Sequence, residues 1–572
     1  MIACNAKGFG GDRKAPENCK PDQVWKNTLR RNSEESDEVR EKSKKYLLPA
    51  EKVASILTLG LVCVIISARK ISTDVQKPCT WSRRLDMYKR HTGQLSLLDE
   101  PEFFGTIPLN PKNEWVRLGK LIPWMEFEER YAKNFESTTG QPAISARMAL
   151  ASVLIKQRYK FSDDDVVAEI AMNPYLQHFL GLQQFQHDAP FSASSMSRFR
   201  QRITPEMLAW VNDYVTGRPE EKDDSDNGKS GGQSDGQSDG QSDEQKPEKN
   251  ANEGTLILDA TCAPQNIRFP TDVSLLNEAR LNTETMIDKL HDLGAFGSKK
   301  PRTYRRKAKN QYNCFSKARK KPSKAIRKAT RQQLGYLKRN LETIHSVDKE
   351  FMEMLSEKLR DRLSVVETLY AQQSEMFKNK THRVDDRIVS LSQSWVRPIV
   401  RSKQNAPVEF GAKVEMSVVN GYLRVEKLQW DAFNESTTLQ ASAESYRKAY
   451  GHYPARILAD TIFRTRDNLR YCKAHGIHIN GPRLGKKPAD LELYRKQLRE
   501  EWLESGERGE IERQFGTAKR RYSLGCIVMK LKHTSEVDIY ASVLAMNLWK
   551  KLRLLFAQIY YFLFKPFQMV AY

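Results

Sequence analysis

The chain has 572 residues, with 94 Lys and Arg against 71 Asp and Glu, which gives a net charge of +23. Hydrophobic residues make up 39% of it, which excludes an all-disordered chain, a small secreted scaffold and a multispan membrane protein. The length allows about three or four domains, and the basic excess indicates a polyanionic partner, either nucleic acid or an acidic membrane surface.

The first 86 residues contain the only membrane-like segment of the sequence, an apolar run at 54–68. This run is shorter than the about 20 residues that a spanning helix needs. It fits either a buried helix or a translated region upstream of a protein that begins naturally at Met87. We favour the second interpretation and treat 1–86 as an atypical extension, disordered or mis-started.

The cysteine pattern is typical of a reducing compartment. The eight cysteines are widely scattered and include no CxxC pair, which argues against a disulfide framework and a zinc ribbon. Cys472, His475 and His478 follow one another at three-residue steps. A helix leading into a strand explains this spacing better than zinc does, because no fourth ligand is nearby.

Residues 87–215 are predicted to form a helical N-terminal domain. Ala146–Tyr159 carries an apolar stripe, and Ser162 with Asp165 forms a capping-box start for a helix that runs to Leu180. After a serine-rich start, a short basic helix follows that could enter a DNA groove. A solvated face of an ordinary helical bundle fits this pattern equally well. The basic residues of that helix are Arg198, Arg200 and Arg202.

Residues 216–253 are predicted to be a disordered linker. They contain GQSD three times and almost no apolar side chains, so the segment cannot bury enough surface to offset its ordering entropy.

A strand at 255–264 is apolar up to Asp259, and a largely helical insert follows at 275–393. Within the insert, 299–340 holds 17 Lys and Arg and no Asp or Glu. One-sided charge repels itself unless a polyanion binds it, so phosphate contact is favoured over a solvated charge run. The basic residues that we single out are Arg305, Arg306, Lys307, Lys320 and Lys321.

Beyond the insert the pattern indicates a mixed α/β fold. A hairpin with Asn420-Gly421 as its turn precedes a helix at 439–450, a strand at 455–460, a helix at 465–474 and a short strand at 477–481. A charged helix is predicted to begin around Glu507, and two amphipathic helices, 536–550 and 552–564, to close the chain. The domain limits are therefore 254–535 and 536–572.

Three carboxylates stand out by position: Asp259 and Asp460 at predicted strand ends, and Glu512 on the following helix. Carboxylates at the carboxyl ends of strands face the crevice where α/β proteins bind ligands. Three hard oxygen ligands suit Mg²⁺ or Mn²⁺. Taken alone, such residues are also often caps or loop ligands.

The helix around Glu512 adds two cations, Arg508 four residues before it and Lys519 seven after, within about 40° of one face. A metal-binding carboxylate flanked by cations suits a phosphodiester. An exposed helix with surface ion pairs is the open alternative.

The chain resembles bacterial insertion-sequence transposases of the DDE class. The matching segments are LILDATCAPQNIRFPTDVSLLNEAR at Asp259, the hairpin segment from RPIVRSKQNAPVEFGAK onward, YGHYPARILADTIFRTRDNLRYCKAHGI at Asp460 and RGEIERQFGTAKRRYSLGCI at Glu512. The last helix of the family carries Tyr-x2-Arg-x3-Glu-x6-Lys. Arg508, Glu512 and Lys519 fit this spacing, whereas Ser505 stands at the tyrosine position.

The resemblance implies a ribonuclease-H-like catalytic domain at 254–535 with a helical basic insert, preceded by an all-α domain. Asp259, Asp460 and Glu512 would hold two Mg²⁺ ions (Mn²⁺ could substitute), and Arg508 and Lys519 would hold DNA phosphates. The N-terminal domain would bind the terminal inverted repeats and help to form a homodimer.

The partners implied are double-stranded element and target DNA, with no membrane and no small-molecule substrate, in the bacterial cytoplasm at the nucleoid. The activity implied is cut-and-paste transposition by DNA cleavage and strand transfer. Two alternatives stay open from the sequence, a catalytically inactive DNA-binding remnant and a nuclease without strand transfer.

Overall fold

The computed structural model describes residue 104 and residues 108–135, 143–218, 252–400, 408–482 and 490–568, with side chains described up to 557. These residues belong to one compact unit that spans 84–572. The predictions for 1–86, and for nearly all of the 216–253 linker, lie outside the described residues. The domain limits stay predictions.

Helices make up the described part of 108–218. Their bounds are α1 Glu114–Gly119, α2 Trp124–Ala132, α3 Ala146–Tyr159, α4 Asp163–Met172, α5 Pro174–Phe179, α6 Ala193–Arg202 and α7 Pro205–Thr216. The predicted capping box at Ser162 and Asp165 is present. The single helix predicted from Ser162 to Leu180 is wrong, because Asn173 is extended and caps a new helix that begins at Pro174.

A mixed sheet forms the centre of the described fold. Its strands are β1 Thr255–Pro264, β2 Arg397–Val400, β3 Val408–Val419, β4 Tyr422–Gln429, β5 Arg456–Leu458 and β6 His478–Ile479. Their order is β2-β3-β1-β5-β6, with β4 also paired to β3. β3 runs antiparallel to β1, and β5 runs parallel to it. Asn420 and Gly421 have φ of +52° and +79°, so the predicted two-residue hairpin turn is confirmed.

Asp259 lies in the middle of β1, not at its end as predicted. The strand continues to Pro264 because β3 pairs with it over its full second half, from Ala260 opposite Glu415 to Pro264 opposite Gly411. A Cβ at Gly411 would lie 2.0 Å from the carbonyl oxygen of Ala263, so only glycine permits this close approach.

The insert folds around a core of its own. Its helices are α8 Asp272–Asp292, α9 Arg305–Lys317, α10 Ser323–His345, α11 Lys349–Glu353 and α12 Glu357–Asn379. Buried side chains of α8, α10 and α12 form this core, among them Leu276, Ile287, Leu337 and Val366. The insert is therefore an independently packed helical layer between β1 and β2.

The remaining helices are α13 Leu439–Tyr450, α14 Arg466–Ala474, α15 Leu491–Arg521 and α16 Lys532–Gln568. The start predicted near Glu507 is wrong by four turns, because Asp490 caps α15 by accepting from the amides of Glu492 and Leu493. The two predicted closing helices are one. Lys550 and Lys551 do not interrupt α16, because their ammonium groups reach the carbonyl oxygens of Gly421 and Val215.

Both faces of the sheet are covered. One face packs with the helices of 114–216 and with α16 in a single large core that includes Ile257, Met416 and Leu544. The other face, with Leu256 and Leu258, packs against α13 and α14. Among the described residues no helix is long and apolar enough to cross a membrane.

Candidate active site

Asp259 lies within β1, and Asp460 lies in extended backbone two residues beyond the end of the adjacent parallel strand β5. Ile257 pairs with Leu458, and each carboxylate follows its member of that pair by two residues. Because side chains alternate along strands that lie about 4.8 Å apart, both carboxylates lie on the same side of the sheet. Asp460 is exposed and begins a 3₁₀ turn, accepting from the amide of Thr461 at 2.7 Å.

The environment of Asp259 disfavours its charge. Burial raises the pKa of this carboxyl to about 6, and the negative charges of Glu435 and Asp460 act in the same direction. A hydrogen bond from the amide of Ala260, 2.8 Å away, and the positive charge of Arg508 oppose the rise. A further cation near Asp259 would therefore stabilise the ionised form.

Helix α15 supplies the third carboxylate. Its C-terminal half buries Ile511, Phe515 and Ala518 and packs against β1, β3 and β5. On the same half, Glu512 is 60% exposed and Arg508 contacts it, with 3.2 Å between Nη2 and Oε1. Since Arg508 also acts on Asp259, the structure brings Asp259, Asp460, Arg508 and Glu512 to one side of the sheet. Lys519 is half-buried two turns further along α15.

The carboxylates match a divalent cation by donor chemistry, since clustered negative charge and hard oxygens are what Mg²⁺ binds. The pKa of Asp259 is raised mainly by burial, and the charges of Glu435 and Asp460 add to that rise. As positioned, however, no three His, Cys, Asp or Glu side chains within the described residues stand close enough to form a ligand set. The side chains, Glu512 above all, would have to turn inward to share an ion.

Two acidic residues around the sheet centre escaped the sequence analysis, of which Glu435 acts on Asp259. Glu435, in the 3₁₀ turn Glu435–Thr437, contacts Lys413 at 2.9 Å and adds negative charge at Asp259. Glu415 is fully buried on β3, and burial raises its pKa to about 7, although Thr438 donates a hydrogen bond to it. The sequence could have indicated Glu435 through its position in the turn after β4. Glu415 has no such sequence signal, because only its burial in the structure sets it apart.

The basic helix α6 divides its three arginines among different environments. Arg198 is exposed, and Arg202 packs its guanidinium 4.5 Å from the ring centre of Phe135. The prediction that Arg200 faces DNA is wrong. Its side chain is 5% exposed and makes a two-pronged bond to Asp163, at 3.0 and 2.6 Å. It stabilises the packing of α6 on α4.

The basic residues of the insert lie mostly on its surface. Arg306, Lys307, Lys320 and Lys321 are exposed. Arg305 is exposed as well but makes a bidentate pair with Asp288, at 3.0 and 2.6 Å. The insert therefore presents a basic surface, of which Arg305 is the locally compensated member.

Two segments of the chain match known protein families. Residues 106–202 match the transposase domain DUF772, and residues 457–549, which contain Asp460 and Glu512, match the transposase DDE domain. A curated relative, an uncharacterized protein named ORF8 in the nfe locus of Rhizobium meliloti, is 39% identical over 100 residues. That alignment covers 18% of this chain and 48% of the relative, so the chain spans about half the length of the relative it matches. No solved structure matches the chain.

Proposed function

We propose that the chain performs cut-and-paste transposition. Both family matches support a DDE-class transposase. The chain would bind the terminal inverted repeats of an insertion sequence, cut DNA at these ends and join them to target DNA. The observations that support this proposal are that α15 packs on β1 and β5, that Arg508 contacts Glu512, and that the positive charge of Arg508 acts on Asp259.

The sheet supports a ribonuclease-H-like catalytic domain. Strands β1, β3 and β4 are antiparallel neighbours in the sheet, while β5 and β6 extend the other side in parallel with β1. This arrangement brings β1, β5 and α15 together, the elements that carry the three carboxylates. The helical N-terminal domain would bind the element ends.

Asp259, Asp460 and Glu512 would hold Mg²⁺, which supplies activation of the attacking oxygen and stabilisation of the leaving oxygen in phosphoryl displacement. Arg508 and Lys519 lie on the same helix and would hold phosphate oxygens of the element end in line with the attacking group. Arg508 would exchange its contact with Glu512 for phosphate when DNA binds. Cleavage and joining use the same displacement at phosphorus, so one site can perform both.

The test incubates the full-length protein with Mg²⁺ and DNA that carries the element's own ends, and resolves cleaved and joined products. Asp259→Asn, Asp460→Asn and Glu512→Gln should each abolish both products while end binding persists. Glu510→Gln is the matched control, because this residue lies on α15 about 160° around the helix from Glu512.

If one of the carboxylate variants joined DNA at a near-normal rate, the replaced residue would not be part of the catalytic site. Cleavage without joining by the unmodified protein would instead indicate a nuclease, and binding without either product an inactive remnant.

We also propose that two copies of the chain pair in the DNA complex. The first turns of α15 expose Leu491, Leu498 and Trp502 at 59%, 45% and 74%. Spacings of seven and four residues place these side chains within about 40° of one another around the helix. An exposed apolar stripe of this kind is typical of a helix that packs against a partner.

Charge complementarity favours a second copy as that partner. Along α15 the basic Arg495, Lys496 and Arg499 precede the acidic Glu500 and Glu501. Antiparallel pairing of two such helices centred near Leu498 places Arg495 of one copy opposite Glu501 of the other, each about 60° around the helix from Leu498 and so beside the apolar stripe.

A further inference from the structure

A cavity of about 370 Å³ opens between the insert and the segment that follows β1. Arg268, Phe269 and Thr271 line it from that segment, and Tyr312, Phe315 and Lys321 line it from the insert. The volume is at the lower end of the range of small-ligand sites. The transposition chemistry proposed above uses none of these residues.

Three aromatic side chains in the cavity wall, Phe269, Tyr312 and Phe315, stay partly or largely exposed. Phe269 is 70% exposed and is held by one edge-to-face contact with Phe410, with ring centres 5.6 Å apart. Tyr312 and Phe315 are half-buried on α9. A phenylalanine that projects into a cavity with its face in solvent loses the free energy of burial, so a ligand that covers the ring would stabilise it.

Cations accompany the aromatic rings. The ammonium of Lys321 lies 5.7 Å from the ring centre of Phe315, and Arg268 is exposed at the rim. The acidic residue in the wall, Asp272, is compensated by Arg387, 2.7 Å away. The cavity is therefore positive at its rim and aromatic on its walls.

A second cavity, of about 490 Å³, shares Asp272, Ile326 and His382 with the first. There the guanidinium of Arg327 lies 4.3 Å from the ring centre of Phe377. The two cavities thus form one groove, which we call the insert groove, with a cation-and-aromatic pair in each half. Repetition of that pair along a groove suits a polymer of alternating bases and phosphates.

The insert groove is connected to the candidate active site through the sheet. Phe269 follows β1, and its partner Phe410 lies on β3, the strand next to Asp259. From Asp259 to the end of β1 at Pro264 is five residues, or about 17 Å. The groove begins at Arg268, four residues beyond the end of β1, so it lies along the chain from the candidate site on the same side of the insert.

We propose that the insert groove binds an unpaired segment of DNA. A base stacks on Phe269 or Phe315, and neighbouring phosphates contact Arg268 and Lys321. An unpaired base exposes both its faces to aromatic rings, whereas duplex DNA offers only base edges and phosphates. The inference rests on the proposed function only for the source of the strand, an element or flanking end that is opened at the active site.

The test measures binding of the full-length protein to a fluorescent ten-nucleotide oligo-dT and to a duplex of equal length, without Mg²⁺, by anisotropy. Phe269→Ala should weaken oligo-dT binding about 5- to 150-fold, the loss of one stacked base, and change duplex binding less than twofold. Phe269→Trp, which keeps an aromatic ring at this position, should bind oligo-dT about as tightly as the unmodified protein. Tyr214→Ala, which removes an exposed aromatic ring far along the chain on α7, should change neither.

Salt dependence separates stacking from charge. Phe269→Ala should leave the salt slope for oligo-dT unchanged, whereas Lys321→Ala should reduce it by about 0.7, one phosphate contact on a single strand. An abasic phosphodiester of equal length should bind the unmodified protein at least as weakly as oligo-dT binds Phe269→Ala, because it loses stacking on every ring of the groove. Equal binding of abasic and dT strands, or an equal loss for duplex and single strand, would overturn the proposal. Since no cleavage is measured, these outcomes are independent of the carboxylate variants above.

Discussion

Arg200 illustrates how one residue's role depends on its surroundings. From the sequence it is one of three alternating arginines on a basic helix. In the structure Asp163 binds both Arg200 and Lys156. Burial of Asp163 acts to raise its pKa, but the hydrogen bonds from Arg200 and Lys156 outweigh that effect and hold the pKa below its usual value. The fully buried Asp538 of α16 lies in the field of the same two cations.

Arg200→Ala should therefore reduce stability and not DNA contact. Removing Arg200 takes away two charged hydrogen bonds and leaves Asp163 with Lys156 as its partner, which should cost about 2 to 3 kcal/mol in the free energy of unfolding, measured by urea denaturation. Arg198→Ala, on the same helix but exposed, is the control and should cost less than about 0.5 kcal/mol. If the two variants had equal stability, Arg200 would not have the structural role described.

Each carboxylate of the candidate site could be singled out in the sequence from a strand or helix pattern, although Asp259 lies within β1 and not at its end, and their joint role stays a prediction. Their mutual placement could not be predicted from the sequence. Glu512 belongs with Asp259 because α15 packs its C-terminal half on β1 and β5, and Glu435 joins them through a turn that has no strong local pattern. Contacts between residues far apart in the chain are decided by packing.

At the scale of elements, the insert combines a hydrophobic core of its own with a charged surface. Its buried Arg280 is satisfied internally by Glu284, Asn277 and Gln333, so that arginine contributes to the core. The exposed Lys and Arg side chains instead contribute positive electrostatic potential at the surface of the insert. Which cations belong to which set cannot be read from the charge count of 299–340.

Replacing Arg306, Lys307 and Lys320 together by glutamine should weaken duplex binding and lower its salt slope by up to about 2.7, or 0.9 for each lost phosphate contact. Arg305 is left out because Asp288 already compensates it. The measurement is the affinity of the full-length protein for duplex DNA from about 50 to 200 mM salt.

A triple glutamine variant of Lys448, Lys473 and Lys530, all exposed outside the insert, is the control for net charge. An equal fall in slope for both variants would assign the effect to overall charge and not to the insert.

For the whole molecule, the described helices of 114–216, the sheet and α16 share one core. The Asn212 side chain shows the connection directly. It donates to the carbonyl of Leu423 on β4 and accepts from Asn547 on α16, at 3.3 and 2.7 Å. A predicted boundary in sequence therefore does not imply separate cores.

Pairing through α15 is a prediction for the assembly. Leu498→Glu should place a charge in the apolar stripe and weaken self-association at least tenfold, with unchanged helix content by circular dichroism. Mass measured by light scattering, with and without end DNA, would report the change. Leu281→Glu, at a similarly exposed leucine of α8, should associate normally. A monomeric unmodified protein in both conditions would contradict the pairing.

Local physical chemistry in the sequence by itself determined the capping box at Ser162, the Asn420-Gly421 turn, the strand through Asp259 and the basic character of the insert. Each depends on residues within a few positions of one another. Only the tertiary structure decided that Arg200 is buried, that the C-terminal half of α15 packs on β1 and β5, and that Phe269 projects into a basic groove. The physical reason is that burial, ion pairing and cavity shape arise between elements tens to hundreds of residues apart, where local patterns carry no information.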